Sequence, residues 1–487
     1  MQDTASPSTT AGRGPVVWTL LVTSLATFMA ALDNLVVTTA LPVIRDDLGG
    51  GLADLEWIVN GYTLPFACLL LLGAALGDRF GRRRVFAWGV LLFTLASAAA
   101  AVAGSTGALI AARAAQGAGA AILLPLSLTL ISAAVPPERR GTAFGIWGAV
   151  NGLAVASGPL VGGAITEHIS WQWIFWLNVP IGLALLPLVR YRLAESRGAN
   201  DRLDLVGTVL ASAGLFGVVL SIVRGHEHGW TSGPVLAGFV LGGLLLIAFV
   251  RWEMHTDHPM LPMRFFRSRT FAAVNAASLL MYAGMFGSIF LLTQFFQLIQ
   301  GYSPLDAGLR MLPWTAMPML VAPIAGALTD RIGGRSIVAS GLALMAAGIA
   351  WLALLADPGV NYTSQIPAFI LCGIGMAMFF APTGAMVMGA VPPTEQGIAS
   401  GVNNALREVG GALGIALLAS VFAARGGYAS PQAFTDGLVP ALWVGVAALL
   451  AATAAVLFVP TRARPAAPAA PPAAPQDRAP EAVPAGR

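Results

Sequence analysis

No lysine occurs in this chain; all 27 basic residues are Arg. That excludes Schiff-base chemistry and the phosphate-gripping Lys of a P-loop. With the abundance of Ala, Gly, Val and Pro, it reads first as the coding bias of a GC-rich genome. Charge of either sign is scarce: 10% of the 487 residues are charged, against about a quarter in soluble domains. The net charge of +4 makes no patch for nucleic acid, because the Arg residues fall in short connections between apolar runs; no nucleic-acid partner is expected. Cysteine is limited to Cys68 and Cys372, both inside apolar runs, so a disulfide framework is not expected. His226, His228, His255 and His258 lie between runs without a ligand set, and neither a metal nor another cofactor is expected. No Walker motif, nucleophile constellation or attached soluble domain is present to support an ATP-driven pump, an enzyme or a sensor. The polar N-terminus leads straight into a full-length apolar run without a small-residue cleavage site, which argues against a removed signal peptide.

What the chain has is apolar length. It is 56% apolar with a mean hydropathy of +0.75, in long unbroken stretches rather than the residue-by-residue alternation of a membrane barrel. At about 20 residues per crossing, and with backbone groups forced to bond within each segment, the expectation is an all-α polytopic membrane protein. Apolar runs fall near 15–42, 56–77, 85–104, 107–132, 142–166, 172–190, 204–223, 234–251, 270–299, 306–328, 336–356, 364–390, 398–424 and 437–459, making fourteen transmembrane helices. Some are long enough to tilt or project past the lipid.

Arg residues cluster after even-numbered spans: Arg79, Arg82, Arg83 and Arg84, then Arg139 and Arg140, then Arg190 to Arg202, Arg251 to Arg269, and Arg331 with Arg335. Connections after odd-numbered spans hold little beyond Arg45, Arg224 and Arg425. The positive-inside rule then puts the even connections and both termini in the cytoplasm, with the connection at 391–397 the one such loop that lacks Arg.

The chain repeats itself. AALGDRFGRRR at 74–84 aligns with GALTDRIGGRS at 326–336, and AVPPERRGTAFG at 134–145 with AVPPTEQGIASG at 390–401, offsets of 252 and 256. A step of eight spans implies six, two inserted, and six. The expected parts are a cytoplasmic tail at 1–14, a six-helix bundle at 15–190, two inserted helices with linkers at 191–268, a second bundle at 269–459, and a disordered Pro/Ala-rich tail at 460–487. Paired half-bundles with a substrate site between them at mid-membrane are the physical basis of alternating access.

GAALGDRFGRRR, with Gly77, Asp78, Arg79, Gly81 and Arg82, resembles the signature between helices 2 and 3 of the major facilitator superfamily. RAAQGAGAA at 113–121 resembles the helix 4 motif, and GAVNGLAVASGPLVGG at 148–163 the helix 5 motif of drug:proton antiporters. LDNLVVTTALP at 32–42 and WQWIFWLNVPIG at 171–182 resemble signatures of the fourteen-span branch. Two positions depart from that pattern: Leu35 stands where Thr is usual and Gln172 where Arg is usual.

The resemblance implies a conformational latch at Gly77, Asp78, Arg79, Gly81 and Arg82, repeated at Asp330 and Arg331. Independently, Gly77 and Gly81 permit a tight turn, and an acid there can face the positive N-terminus of a neighbouring helix; the alternative is that these charges only set topology. Gly148, Gly152, Gly158, Pro159, Gly162 and Gly163 allow close packing, and the Gly-Pro pair can bend the helix; the resemblance adds that this motif marks exporters and seals against proton leak.

Asp33 is the residue that asks for an explanation. With the first span entering near Trp18, it lies roughly 22 Å along a core of about 30 Å, beyond easy snorkelling. Arg113 lies about 9 Å in from the other side, either snorkelling or facing the bundle interior, so the two can approach across the bundle. Burial favours the protonated carboxyl and a nearby Arg the ionised one. Asp33 is therefore the expected proton carrier and Arg113 the group that helps to expel the proton; a structural hydrogen bond is the alternative. Candidate cavity residues are Asn34, Gln116, Asn151, Trp147, Gln294 and Trp314, with Asn178, Asn275, Gln297, Asn403 and Asn404 weaker, and Trp57, Tyr62 and Phe286 suited to flat lipophilic molecules. Arg407 and Glu408 are expected to pair locally, leaving Asp33 the one clearly deep acid and favouring neutral or monocationic substrates.

The expectation is a proton-coupled antiporter exporting lipophilic drugs or antibiotics across a bacterial cytoplasmic membrane. Its partners are the lipophilic small molecule, protons and the lipid bilayer, and it functions as a monomer. An importer of a small organic solute on the same fold is the alternative.

Overall fold

The structure, a computed structural model, describes residues 13–49, 52–198, 204–229, 231–257 and 259–459. Both expected tails thus lie largely outside the described residues. Sixteen α-helices and no strand occur among those described, and together they supply fourteen segments long and apolar enough to cross a membrane.

Five helices make the first five spans: α1 (Arg13–Leu48), α2 (Leu52–Phe80), α3 (Arg82–Ala101), α4 (Thr106–Ala134) and α5 (Arg140–His168). The sixth span is broken into α6 (Trp173–Trp176) and α7 (Asn178–Arg192). α8 (Leu205–His228) and α9 (Gly233–Glu253) form a hairpin. α10 (Arg269–Gln294) is followed by a π turn at Phe295–Ile299. The tenth span is again two pieces, α11 (Pro304–Thr315) and α12 (Met317–Ile332), because Pro318 opens a new helix after Ala316. α13 (Gly334–Leu355), α14 (Tyr362–Gly389), α15 (Gln396–Arg425) and α16 (Pro431–Leu457) complete the chain. Side chains of Ser105, Asp204, Ser268, Ser303, Asn361 and Ser430 accept from the orphan N–H groups at helix starts, which sets where those helices begin.

Packing repeats as the sequence does. In the first bundle α1 lies on α5, α2 and α3 on α4, and α3 on α7; in the second α10 lies on α15, α12 and α13 on α14, and α13 on α16. The bundles meet along two reciprocal crossings, α5 on α12 and α2 on α15. Each crossing pairs the fifth span of one half with the second of the other, as a pseudo-two-fold relation requires. The α8–α9 hairpin rests through α8 on α2 and α15.

The turn at 77–81 differs from the sequence expectation. Gly77 is not in a loop but inside α2, where an added methyl carbon would sit 2.3 Å from a Leu126 side-chain carbon. Gly81 alone separates α2 from α3, at φ 103°, and Gly333 alone separates α12 from α13, at φ 85°. Only glycine takes that backbone without strain.

Candidate functional site

Arg113 and Gln116, one turn apart on α4, both reach the α1 carboxylate of Asp33. Arg113 Nη1 forms an ion pair with Asp33 Oδ2 and donates to Gln116 Oε1 at 3.0 Å. Asp33 Oδ1 accepts from Gln116 Nε2 at 3.0 Å and from Asn178 Nδ2 at 2.7 Å. Ser97 Oγ on α3 ties the same two amides together, accepting from Gln116 at 2.8 Å and from Asn178 at 3.4 Å. Arg113 Nε donates to the Ile58 carbonyl at 3.3 Å, its guanidinium lies 4.3 Å from the Tyr62 ring centre, and the Tyr62 hydroxyl donates to the Ala30 carbonyl. Both charged side chains are 0% exposed, and Arg113 Nη2 has no partner.

The close approach of α2 to α4 makes this possible. A methyl group on Gly117 would lie 2.2 Å from the Tyr62 carbonyl oxygen, and one on Gly61 3.2 Å from that of Ile110. Small residues let the backbones meet and bring Tyr62 over the guanidinium. Asn178 reaches Asp33 because the break in the sixth span sets it at the start of α7. Its signal was the Asn-Val-Pro of 178–180, proline being tolerated in a first turn. Ser97 carried no signal distinguishable from other small residues on α3.

Other expected site residues scatter. Asn151 donates to Thr27 Oγ1 at 3.2 Å and to the Trp147 carbonyl at 2.8 Å, tying α5 to α1. Trp147 packs with Phe144 and Met388 and leaves its Nε1 without a partner. Asn34 is half-buried with Oδ1 unpartnered. Gln294 lies at the far end of α10, accepting from the exposed Tyr428, and Trp314 is 0% exposed inside the second bundle beside Phe369. Asn403 on α15 donates to Asn275 Oδ1 and Ser278 Oγ on α10, a helix-to-helix clasp.

At the Arg-rich end the two duplicated acids each serve the opposite half. Asp330 Oδ1 accepts from Gly141 N at 2.8 Å, and Oδ2 from Thr142 N at 2.9 Å and Thr142 Oγ1 at 2.7 Å. Asp78 lies against the first turn of α15, where a methyl carbon on Gly397 would sit 2.4 Å from its Oδ1. Arg82 Nε donates to Asp78 Oδ1 at 2.8 Å, while its Nη2 reaches the carbonyls of Pro393 and Thr394. Each carboxylate thus meets the positive end of a helix from the other bundle. Arg79 and Arg331 are exposed and take no part.

From that end to mid-membrane, α5 and α12 run backbone to backbone. Methyl groups on Gly145 and Gly326 would lie 2.4 and 2.2 Å from the carbonyl oxygens of Ala322 and Gly141, and one on Gly152 2.9 Å from Pro318 Cβ. Gly141, Gly145 and Gly326 were not singled out in the sequence, although they form the tightest part of the seam. Of the helix 5 set, Gly158 packs instead on Leu35 of α1, Gly162 is buried, and Gly163 has open space. α5 runs unbroken through Pro159. The two departures also find places: Leu35 fills the notch at Gly158, and Gln172 lies 3.4 Å from Asp47, which Trp171 Nε1 also holds.

The profile of the Major Facilitator Superfamily matches residues 23–415 and 274–484. The chain belongs to the Major Facilitator Superfamily. A tetracenomycin C resistance and export protein of Streptomyces glaucescens is 34% identical over 446 residues, spanning 91% of this chain and 82% of its own. A cephamycin export protein of Amycolatopsis lactamdurans is 38% identical over 466 residues, covering 94% and 96%. Among solved structures, a proton:xylose symporter superposes with a TM-score of 0.66 at 14% identity, covering 91% of this chain and 96% of its own, a likeness of fold. With fourteen crossing segments and such bacterial relatives, this superfamily member is a multi-pass protein of the bacterial cytoplasmic membrane.

Proposed function

We propose that this chain exports lipophilic drugs or antibiotics across the cytoplasmic membrane in exchange for protons, as a monomer, and catalyses no covalent chemistry. The observation that carries the coupling is the fully buried Asp33–Arg113 pair. The carboxylate is sealed in one bundle with a cation, two amides and a phenol ring around it, so a proton exchanged at Asp33 is linked to the packing of α1, α2 and α4. One proton crossing 100 mV supplies about 2.3 kcal/mol. The direction of transport rests on the export relatives; the fold alone, shared with a symporter, fits import equally.

In this reading the Arg-rich end is cytoplasmic, and the structure is the state sealed on that side. Asp78 and Asp330 are the latch. Asp330→Ala removes three acceptor contacts at a helix N-terminus, together worth about 2 kcal/mol. Labelling of Ala325→Cys, a buried α12 position, by a maleimide offered from the cytoplasmic side is expected to rise severalfold in that variant. Unchanged labelling removes Asp330 from the latch.

The export reading is tested with everted vesicles, an imposed pH gradient, a pH-sensitive dye and a panel of lipophilic compounds. Wild-type vesicles are expected to lose the gradient on addition of exported compounds. If no compound collapses it and no labelled compound is accumulated, the reading falls; accumulation without collapse leaves export standing and removes the proton.

A further inference from the structure

The hairpin of inserted helices ends on an acid that lies far from Asp33 in the chain and takes no part in its network. Glu253 is the last residue of α9, and Asp204 caps the first turn of α8 beside it. Asp204 is well supplied with donors: Oδ1 accepts from Gly207 N at 2.8 Å, and Trp252 Nε1 donates to Oδ1 and Oδ2 at 3.0 and 2.9 Å. Glu253 is not. It is 3% exposed, its Oε2 accepts from Leu261 N at 2.9 Å, and its Oε1 has no partner among the described residues. A methyl carbon on Gly207 would lie 2.6 Å from Asp204 Oδ2 and 2.6 Å from Glu253 Oε1, so the two oxygens converge over that glycine and are at most twice that distance apart.

No cation answers this pair among the described residues. Arg251, His255, Asp257 and Arg267 are exposed, Arg264 is taken by Glu395, and Asp78 and Arg82 pair with each other on α2 and α3. α9 packs chiefly on α8, and from there Asp204 is the charge that acts on Glu253. Glu253 also sits at the negative end of α9, whereas the N–H at the positive end of α8 is already used by Asp204. Two carboxylates sharing a site without a counter-ion do not both ionise cheaply.

What Glu253 holds is the connector that leads from the hairpin to the second bundle. Its Met260, Leu261 and Phe265 are buried in one cluster with Leu71 of α2 and Ile398 of α15, and Thr208 Oγ1 of α8 donates to Met260 Sδ at 3.3 Å. The connector therefore plugs the α2–α15 crossing, where Gly397, next to Ile398, lies against the latch acid Asp78. Arg264 ties its far side to Glu395, just before α15.

We infer that Asp204 and Glu253 together bind one proton at the Arg-rich end, separate from Asp33, and that this proton keeps the connector clasped to the seam between the bundles. The clasped arrangement holds a proton that an opened, hydrated one releases. Clasping is therefore complete at low pH and is lost as pH rises, the ratio of clasped to open molecules falling by up to about tenfold per pH unit.

The test is hydrogen–deuterium exchange of the full-length protein in nanodiscs from about pH 6 to about pH 9, read as protection of residues 259–267 relative to the intrinsic exchange rate at each pH. Protection in wild type is expected to fall severalfold or more across that range. Glu253→Gln carries no charge at any pH and keeps an oxygen for the Leu261 N–H, so its protection is expected to stay high and flat. Asp204→Asn keeps the helix cap and an acceptor for Trp252 but removes the repelling charge, and a shallower fall is expected. Flat protection in wild type overturns the inference, as does a fall in Glu253→Gln as steep as in wild type. Should Glu253→Gln not fold, an unchanged slope in Asp204→Asn overturns it equally. The readout is the exposure of one segment and not transport, so the export reading can fail or stand independently.

Discussion

Everted vesicles carrying Asp33→Asn are expected to show no drug-driven loss of an imposed pH gradient, against a full response from wild type. Asn keeps the shape of the side chain and an oxygen to accept from Gln116 and Asn178, so the amide network around Ser97 survives. What it cannot do is take up and release a proton. The change also strips Arg113 of its counter-ion in a site with 0% exposure, and breaking a buried pair from one side costs about 3–5 kcal/mol. The Ile58 carbonyl and the Tyr62 ring remain to offset part of that. Loss of coupling must therefore be separated from loss of fold. Asp33→Asn combined with Arg113→Gln removes the stranded cation, and its melting temperature is expected to recover towards wild type while the gradient response stays absent. A gradient response in Asp33→Asn alone would end the assignment of Asp33 as proton carrier. Recovery of the response in the double variant would show that the pair serves only stability.

The second large effect is at the α5–α12 seam. A methyl carbon on Gly148 would lie 3.8 Å from Ala322 Cβ, within the separation a disulfide requires. Gly148→Cys with Ala322→Cys is expected to form a bond on mild oxidation and to abolish transport until a reductant is added. The two native cysteines are buried and apart from this seam. If the bundles separate at this end in each cycle, a covalent tie across the crossing must stop it. Gly145→Leu gives the opposite perturbation: its side chain would press on the Ala322 carbonyl, backbone that cannot rotate aside, so the seam is forced open while packing inside each bundle is spared. Cross-linking of the cysteine pair is expected to fall sharply in that background. Undiminished transport by the cross-linked protein would show that this seam stays closed throughout.

Much of this was readable along the chain because the membrane makes sequence and structure nearly collinear. Fourteen crossings followed from apolar length, and the six-two-six arrangement from two repeats at nearly one offset, because a duplicated segment repeats its packing. The meeting of Asp33 with Arg113 was anticipated from depth alone, since helical rise converts residue number into height. Height, however, says nothing about azimuth. Gln294 and Trp314 were placed in the cavity on residue type, and the fold sets the first at a helix end and the second inside a bundle. Gly77 looked like a turn residue and is a packing notch, because a glycine next to a charged motif carries no mark of which use it serves.

Arg407 and Glu408 show the same limit more sharply. Adjacency in sequence invited a local pair, yet the fold turns the Arg407 guanidinium onto three rings and gives the two side chains no hydrogen bond or ion pair with each other. The sequence by itself determined the solvent of this protein, the number and heights of its helices, its internal duplication, and that an acid and an arginine lie at matching depth. The tertiary structure alone decided which helices touch, where the sixth and tenth spans break, that Asp78 and Asp330 each meet the other half's fifth span, and that the Arg407 guanidinium lies over rings of α10 and α14. The physical reason is that burial in lipid is a property of each segment, set by its own composition, whereas rotation about a helix axis is set by the small residues of its neighbours, which act only when two helices are brought together.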